Sequence, residues 1–136
     1  MIQILDVSVA FKWFVEEEAR ETALALLDRV RDAPKDFAVP ELFFNEMLAV
    51  FCRVADDPKE IQGYMGILQD LGLARLGNGR EVLSEAIHFS KQYHLTGYDA
   101  VYVASAKLVG GVWITADEAA HRKIKPLRLS QLLSEI

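Results

Sequence analysis

The stretch TGYDAVYVASAKLVGGVWITAD, residues 96–117, does most to decide the fold of this chain. Its first half is apolar on nearly every side, which predicts a buried central helix over residues 96–108. A glycine pair ends that helix, and VWIT, residues 112–115, is a short apolar run typical of a buried strand. A helix that leads directly into a buried strand indicates an α/β protein. Two acids, Asp99 on the helix and Asp117 after the strand, interrupt this apolar stretch.

The rest of the chain repeats this alternation of short apolar runs and amphipathic segments. The predicted strands cover residues 2–5, 36–39, 74–76, 112–115 and 126–129, and the predicted helices cover residues 9–15, 16–30, 41–54, 61–71, 81–93, 96–108, 117–123 and 131–136. Strands that alternate with helices favour a parallel sheet covered on both faces. We therefore expect a single domain, residues 1–136, that folds as a three-layer α/β/α sandwich around a central, mainly parallel sheet of about four to five short strands.

Composition excludes several classes of protein. The chain has 136 residues, of which 51% are hydrophobic, so it can bury one core. No apolar stretch is long enough to span a bilayer, and the first residues lack the basic start of a signal peptide. The single cysteine, Cys52, provides neither a disulfide framework nor a zinc site of clustered cysteines. We therefore expect a soluble, cytoplasmic protein. A net charge of -5 disfavours nucleic-acid binding by nonspecific phosphate neutralisation, so any chemistry on nucleic acid would need metal cations.

Four acids are candidates for a functional site, and each has to be weighed against an ordinary structural role. Asp6 and Asp117 each follow a predicted strand and could simply cap the next helix. Asp99 stands three residues after Thr96, in a spacing typical of a capping box. Glu46 has no such explanation, because it shares a helical face with apolar side chains and a buried, unpaired carboxylate is costly. For the three aspartates the capping alternative stays open.

The four acids would form a single functional site if their side chains lay close together. Ligands bind beyond the carboxyl ends of parallel strands, and Asp6 and Asp117 meet there if their strands are neighbours. The inward acids of two core helices, Glu46 and Asp99, could join them. Like charges at short range demand a counter-cation, and clustered carboxylate oxygens select Mg²⁺ or Mn²⁺. The chemistry expected of such a cluster is phosphodiester hydrolysis, in which the metal activates water and neutralises negative charge.

At this point the residues resemble a known family, the PIN-domain ribonucleases, and especially the VapC-like toxins of prokaryotic toxin–antitoxin pairs. ILDVS, residues 4–8, is similar to the family's opening strand with its first aspartate and following serine. PELFFNE, residues 40–46, is similar to the helix that carries the family's glutamate. TGYDAVYVA, residues 96–104, resembles the family's most recognisable stretch, and WITAD, residues 113–117, resembles its closing strand. The resemblance covers the whole chain, and none of the family's acids is missing.

The resemblance implies a function and roles for particular residues. It implies a Mg²⁺- or Mn²⁺-dependent endoribonuclease. The residues that bind the metal or orient its water, and so act in catalysis, would be Asp6, Glu46, Asp99 and Asp117. Ser8 and Thr115 would give polar support, and Asn45 would assist beside the glutamate. The resemblance also implies an RNA substrate, a homodimer and silencing by a cognate antitoxin protein, partners that the residues by themselves do not predict.

Two other functions remain open. A Mg²⁺-dependent phosphatase with an aspartate nucleophile would also use acids at strand ends, but its usual Asp-x-Asp is here Asp6-Val-Ser8. A noncatalytic RNA-binding or scaffold domain on the same fold would have no need for the four acids. Its surface should also be basic rather than net acidic.

The remaining polar residues are expected to have structural roles. The three histidines show no metal-binding spacing, and the basic run at residues 122–125 is expected to be solvated charge at a helix end rather than a phosphate contact. The segment KWF, residues 12–14, lies near the proposed active edge and could grip or stack on RNA. For its two aromatic residues we expect packing instead.

Overall fold

A computed structural model describes all residues, Met1–Ile136, and its centre is a five-stranded sheet. The strands are β1 (Gln3–Leu5), β2 (Phe37–Pro40), β3 (Ala74–Leu76), β4 (Val112–Thr115) and β5 (Ser130–Leu132). They lie in the order β3-β2-β1-β4-β5, and every neighbouring pair is parallel. The predicted fold class, an α/β/α sandwich around a parallel sheet, is confirmed.

Seven helices flank the sheet, and none is long and apolar enough to cross a membrane. They are α1 (Val7–Ala10), α2 (Arg20–Asp32), α3 (Leu42–Val54), α4 (Pro58–Asp70), α5 (Arg80–Tyr93), α6 (Gly97–Val109) and α7 (Glu118–Ile124). The helix α6 is the central one, as expected from its sequence, because all its residues from Ala100 to Ala106 are buried. It packs on β1, β2 and β4.

The central strand β1 positions the residues that follow it. Ile4 pairs with Ala38 of β2 on one side and with Trp113 of β4 on the other. Because β1 and β4 are parallel neighbours, the segments after them lie side by side, and the Asp6 amide donates a hydrogen bond to the Ile114 carbonyl at 3.2 Å. The sheet therefore carries Asp6 and the residues after β4 to one edge.

The segment between β1 and α2 differs from the prediction. The expected helix over residues 9–15 is wrong, because α1 is a single turn that begins directly after Asp6 and continues as a 3₁₀ turn, Phe11–Trp13. The next helix was expected to start at residue 16 but starts at Arg20. Its start is fixed by Ala19, whose φ of 64° lies in the left-handed region that an α-helix cannot include.

The C-terminal segment also differs from the prediction. The strand expected over residues 126–129 is a 3₁₀ turn, Lys125–Leu127, followed by Arg128 at a φ of 58°, so that β5 starts only at Ser130. The helix expected over residues 131–136 is likewise wrong, since its first residues belong to β5. Backbone pairing with β4 decides the conformation here, and tertiary pairing of this kind overrides a local helical pattern.

Gly111, just before β4, approaches β1 so closely that an added Cβ would overlap the Ile2 carbonyl oxygen. We expect Gly111→Ala to lower the free energy of unfolding by about 1 to 3 kcal/mol, the cost typical of overpacking, in urea titrations. Gly63→Ala in α4 is the matched control, because nothing lies within 4 Å of its added Cβ. It should raise stability by roughly 0.5 to 1 kcal/mol, since alanine favours the helix. Equal stability of Gly111→Ala and the parent would contradict this close approach.

Candidate active site

Asp6 is the most buried acid of the chain, at 7% exposure. It follows β1, and its Oδ1 accepts a hydrogen bond of 2.8 Å from the Val7 amide, so it does cap α1. Its Oδ2 accepts two further hydrogen bonds, from Ser8 Oγ at 2.8 Å and from Thr115 Oγ1 at 2.6 Å. The carboxylate therefore has three donors, and its orientation is fixed by both neighbouring strand ends.

The two hydroxyls that contact Asp6 also bind the backbone after β4. The Ala116 amide donates to Ser8 Oγ at 2.9 Å, and the Asp117 amide donates to Thr115 Oγ1 at 3.0 Å. Each hydroxyl thus accepts one backbone hydrogen bond and donates one to the carboxylate. The network joins the turn after β1 to the turn after β4.

Asp117 and Asp99 occupy the starts of two different helices. Asp117 caps α7, since its Oδ1 accepts a hydrogen bond of 3.0 Å from the Ala120 amide. Asp99 lies in the first turn of α6, but the cap is Thr96, whose Oγ1 accepts from the Asp99 amide at 3.1 Å. Helix capping therefore accounts for one hydrogen bond of the Asp117 side chain, but it does not account for the Asp99 carboxylate.

Glu46 projects from α3 and meets a residue that sequence reasoning missed. The Tyr102 hydroxyl, on the buried helix α6, donates a hydrogen bond of 2.8 Å to Glu46 Oε1. Tyr102 is 1% exposed, and burial followed by the charge of Glu46 raises its pKa, so it remains a neutral donor. One signal could have revealed it: a tyrosine inside an apolar helix needs a partner for its hydroxyl.

The acids act on one another electrostatically. Burial raises the pKa of Asp6 to about 7, and the charges of Asp99 and Glu46 add to that rise against the hydrogen bonds from Thr115 and Ser8. Burial also raises the pKa of Glu46, with a further contribution from Asp99, and raises that of Asp99, with a further contribution from Asp117. These pairwise effects show that each acid feels the charge of at least one of the others, which disfavours ionisation of Asp6, Glu46 and Asp99.

Lys123 of α7 is the cation that acts on the cluster. Its Nζ donates a hydrogen bond of 2.9 Å to the backbone carbonyl of His94, and its charge lowers the pKa of Asp99, against the larger effect of burial. The basic run at residues 122–125 is exposed charge at the end of α7, as expected. One member of it partly offsets the negative charge of the site.

The cluster fits a hydrated Mg²⁺ or Mn²⁺ better than a dehydrated metal. No three His, Cys, Asp or Glu side chains are arranged so that they could hold one ion directly. Mg²⁺, however, usually keeps several waters and binds through one or two carboxylates together with phosphate oxygens. The donor set consists of hard oxygens, and its mutual repulsion would be relieved by a cation.

Several polar candidates lie outside the cluster. Asn45 is exposed on α3, and its side chain makes no hydrogen bond within the protein. His88 and His94 are exposed, whereas His121 is buried and its Nδ1 lies 2.7 Å from Ser130 Oγ, which joins α7 to β5. None of these side chains contacts the four acids.

The two aromatic residues after Lys12 belong to the core, as expected. Trp13 is 6% exposed, and its Nε1 donates to the Ala23 carbonyl at 2.8 Å. Phe14 packs edge-on against Phe51 at 5.1 Å between ring centroids. Trp13 is therefore a core residue, and Phe14 is partly buried against the core.

The fold and the site together define a class of protein, an α/β/α domain with its acids at the carboxyl edge of a parallel sheet. The family model of the PIN domain matches residues 4–125. This match runs from β1 through α7 and includes all four acids. The chain belongs to the PIN-domain family.

Solved structures of similar fold include three from bacteria. A toxin–antitoxin complex from Klebsiella pneumoniae gives a TM-score of 0.70 at 14% identity, covering 98% of this chain and 99% of that one. FitAcB from Neisseria gonorrhoeae gives 0.75 at 14% identity, with 99% and 100% covered. VapBC2 from Rickettsia felis, bound to a promoter DNA fragment, gives 0.72 at 11% identity, with 97% and 98% covered. At these identities the likeness shows the fold alone. Comparison with curated proteins gives no match.

Asp99→Asn distinguishes a repelling cluster from unrelated helix starts. In chelator near pH 8, above the raised pKa of Asp6, we expect the variant to melt at a higher temperature than the parent. The reason is that burial and Asp117 both disfavour the charge of Asp99. If the charge of Asp99 only interacted favourably with the helix dipole, its loss would instead lower the free energy of unfolding by about 0.3 to 1 kcal/mol. Thermal melts followed by circular dichroism give the sign.

The control for this experiment is Asp57→Asn. Asp57 is an exposed cap of α4 that accepts from the Lys59 amide at 3.0 Å, and asparagine caps equally well, so this variant should melt at or slightly below the parent temperature. Mn²⁺ at 100 times its Kd should stabilise the parent by about 2.7 kcal/mol and Asp99→Asn by less. Two results together would contradict the metal site: Asp99→Asn melts at a lower temperature than the parent in chelator, and Mn²⁺ does not change the melting temperature of the parent. Asp99 would then have only a structural role.

Proposed function

We propose that the protein is a Mg²⁺- or Mn²⁺-dependent endoribonuclease that hydrolyses RNA phosphodiester bonds. Its catalytic and metal-binding residues are Asp6, Glu46, Asp99 and Asp117. The observation that carries the proposal is the mutual repulsion of these acids in a PIN-domain fold whose parallel strands β1 and β4 are followed by Asp6 and Asp117. Without a cation they would repel the phosphate that the enzyme has to bind.

The contacts of each acid indicate a different role for it in the proposed reaction. A bound Mg²⁺ or Mn²⁺ would polarise the phosphate and the attacking water and would neutralise negative charge in the transition state. Asp6 is fixed by three hydrogen-bond donors and serves as the rigid ligand. Glu46 is oriented by Tyr102 through Oε1, which leaves Oε2 free. Asp117 is held through Oδ1 alone.

Asp99 is the acid best suited to accept a proton. Its carboxylate is half-buried, and its pKa is raised by burial and by Asp117, so its basicity exceeds that of an ordinary surface aspartate. This raised pKa favours Asp99 as the group that takes the proton from the attacking water. The hydroxyls of Ser8 and Thr115 support this chemistry indirectly, because they orient Asp6.

The phosphatase alternative is less consistent with the site. An aspartate nucleophile needs a carboxylate oxygen exposed to substrate, and Asp6 is 7% exposed with hydrogen bonds to both of its oxygens. The residue two positions later is Ser8, whose hydroxyl donates to Asp6 instead of acting as a second acid. A noncatalytic scaffold would have no use for the electrostatic cost of the cluster.

The proposed biological role is that of a toxin silenced by a cognate antitoxin protein. This proposal is supported by the PIN-domain match and by similar structures that are described as toxin–antitoxin complexes. An RNA substrate further implies that the protein works in the cytoplasm.

We also propose a homodimer formed through α5 and α6. Leu83 and Ile87 on α5 are 43% and 65% exposed, and Tyr98 on α6 is 64% exposed. They surround two adjacent, largely apolar hollows of about 500 and 380 Å³ that share Leu83, Gly97 and Val101. Exposed apolar surface of this kind is typical of protein interfaces.

Cleavage of a 5′-labelled single-stranded RNA tests the proposed function. We expect cleavage in Mg²⁺ or Mn²⁺ and none in chelator, and we expect Asp6→Asn, Asp99→Asn and Asp117→Asn each to lower turnover by on the order of 10² to 10³. The controls are Glu118→Gln, an exposed acid next to Asp117, and His88→Ala, and both should cleave like the parent. Undiminished cleavage in chelator, or equal damage by Glu118→Gln, would overturn the proposal.

A further inference from the structure

A groove runs from the acid cluster along the surface between α1 and α3. It has a volume of about 390 Å³, and Ser8 and Asp117 are among the residues that line it, so it adjoins the site. Its apolar wall includes Phe11 and Val54. The volume lies within the roughly 300 to 1,000 Å³ of ordinary ligand pockets.

Two cations, Lys12 and Arg53, line the same groove. Lys12 is held in place: its side chain is 12% exposed, and its Nζ donates to Glu17 Oε2 at 3.3 Å. Arg20 fixes the backbone of Lys12 by donating from Nε to its carbonyl at 3.1 Å. Arg53 is exposed and forms no ion pair with any acid of the chain.

The groove is lined by two cations, Lys12 and Arg53, and by two acids, Glu17 and Asp117. The chain carries a net charge of -5, and the acids of the site repel nucleic acid further, so affinity for a polyanion needs local cations. Glu17 is the opposing acid in the groove besides Asp117, and its side chain is 39% exposed. The Lys12–Glu17 contact, at 3.3 Å, is longer than a typical charge-assisted hydrogen bond, so an incoming phosphate can share the lysine.

We propose that this groove binds the single-stranded RNA segment that adjoins the scissile bond. Lys12 and Arg53 contact its backbone phosphates, and the apolar wall at Phe11 and Val54 contacts a ribose or base face. The proposal rests on the proposed ribonuclease function and adds to it a substrate-binding surface on one side of the cluster.

Binding measurements in the background of Asp99→Asn separate this surface from catalysis. The probe is a fluorescent single-stranded oligouridylate in Mg²⁺, followed by anisotropy over a series of salt concentrations. We expect Arg53→Gln to weaken binding roughly tenfold, the effect of losing one charge-assisted hydrogen bond, and to reduce the slope of log K against log salt by about 0.7. Lys12→Gln should have a similar effect. Because Lys12 is largely buried, the exposed Arg53 provides the decisive variant.

The matched control is Arg31→Gln. Arg31 is exposed in the last turn of α2, shortly before β2 begins, and therefore lies at the end of the sheet opposite the cluster. It should leave both the affinity and the salt slope unchanged. If Arg31→Gln weakened RNA binding as much as Arg53→Gln does, the attraction would be diffuse, and the proposal that the groove binds RNA would be wrong.

Three further results distinguish failure of the groove from failure of the function. Unchanged RNA binding by Arg53→Gln, with a parent that still cleaves RNA, overturns the groove and leaves the ribonuclease intact. A parent that neither binds nor cleaves RNA overturns both. Binding of polyglutamate as tightly as RNA, with the same dependence on Arg53, would make the groove a docking site for an acidic peptide and would overturn the RNA assignment.

Discussion

The pairing of β1 with β4 is the constraint on which the site depends. It places the turn after β1 against the turn after β4, where Thr115 donates a hydrogen bond to Asp6 and the Ala116 amide donates one to Ser8. These contacts hold Asp6 near 7% exposure, although burial of a carboxylate is unfavourable. Three donors offset that cost only in part, since the pKa of Asp6 remains raised to about 7. The buried helix α6 packs across the same strands and stabilises the fold that keeps this arrangement.

The parts of this design that follow from local patterns could be predicted from the sequence. The positions of Asp6 and Asp117 follow from a rule about the ends of parallel strands, and the inward position of Glu46 follows from helical periodicity. The contact of Glu46 with Tyr102 could not be predicted, because it joins residues on two helices that are far apart in sequence. The position of β5 was wrong for a related reason, since its conformation is set by pairing with β4.

The proposed action on RNA poses an electrostatic problem for an acidic protein. Its net charge of -5 and its four mutually repelling acids both oppose the approach of a polyanion. A divalent cation would compensate at the cluster itself, and Lys123 already lowers the pKa of Asp99 there. Beside the cluster, Lys12 and Arg53 are the two cations that line the groove, and Arg53 has no acidic partner. Binding would therefore depend on a few well-placed cations rather than on overall attraction.

The central claim is that the four carboxylates form one metal site, and anomalous diffraction from crystals grown in Mn²⁺ tests it most directly. Data collected at the manganese absorption edge should give an anomalous difference peak bounded by Asp6, Glu46, Asp99 and Asp117. The peak should weaken or vanish in crystals of Asp99→Asn grown under the same conditions. An ordered cluster without a peak, or a peak held by other residues, would contradict the account.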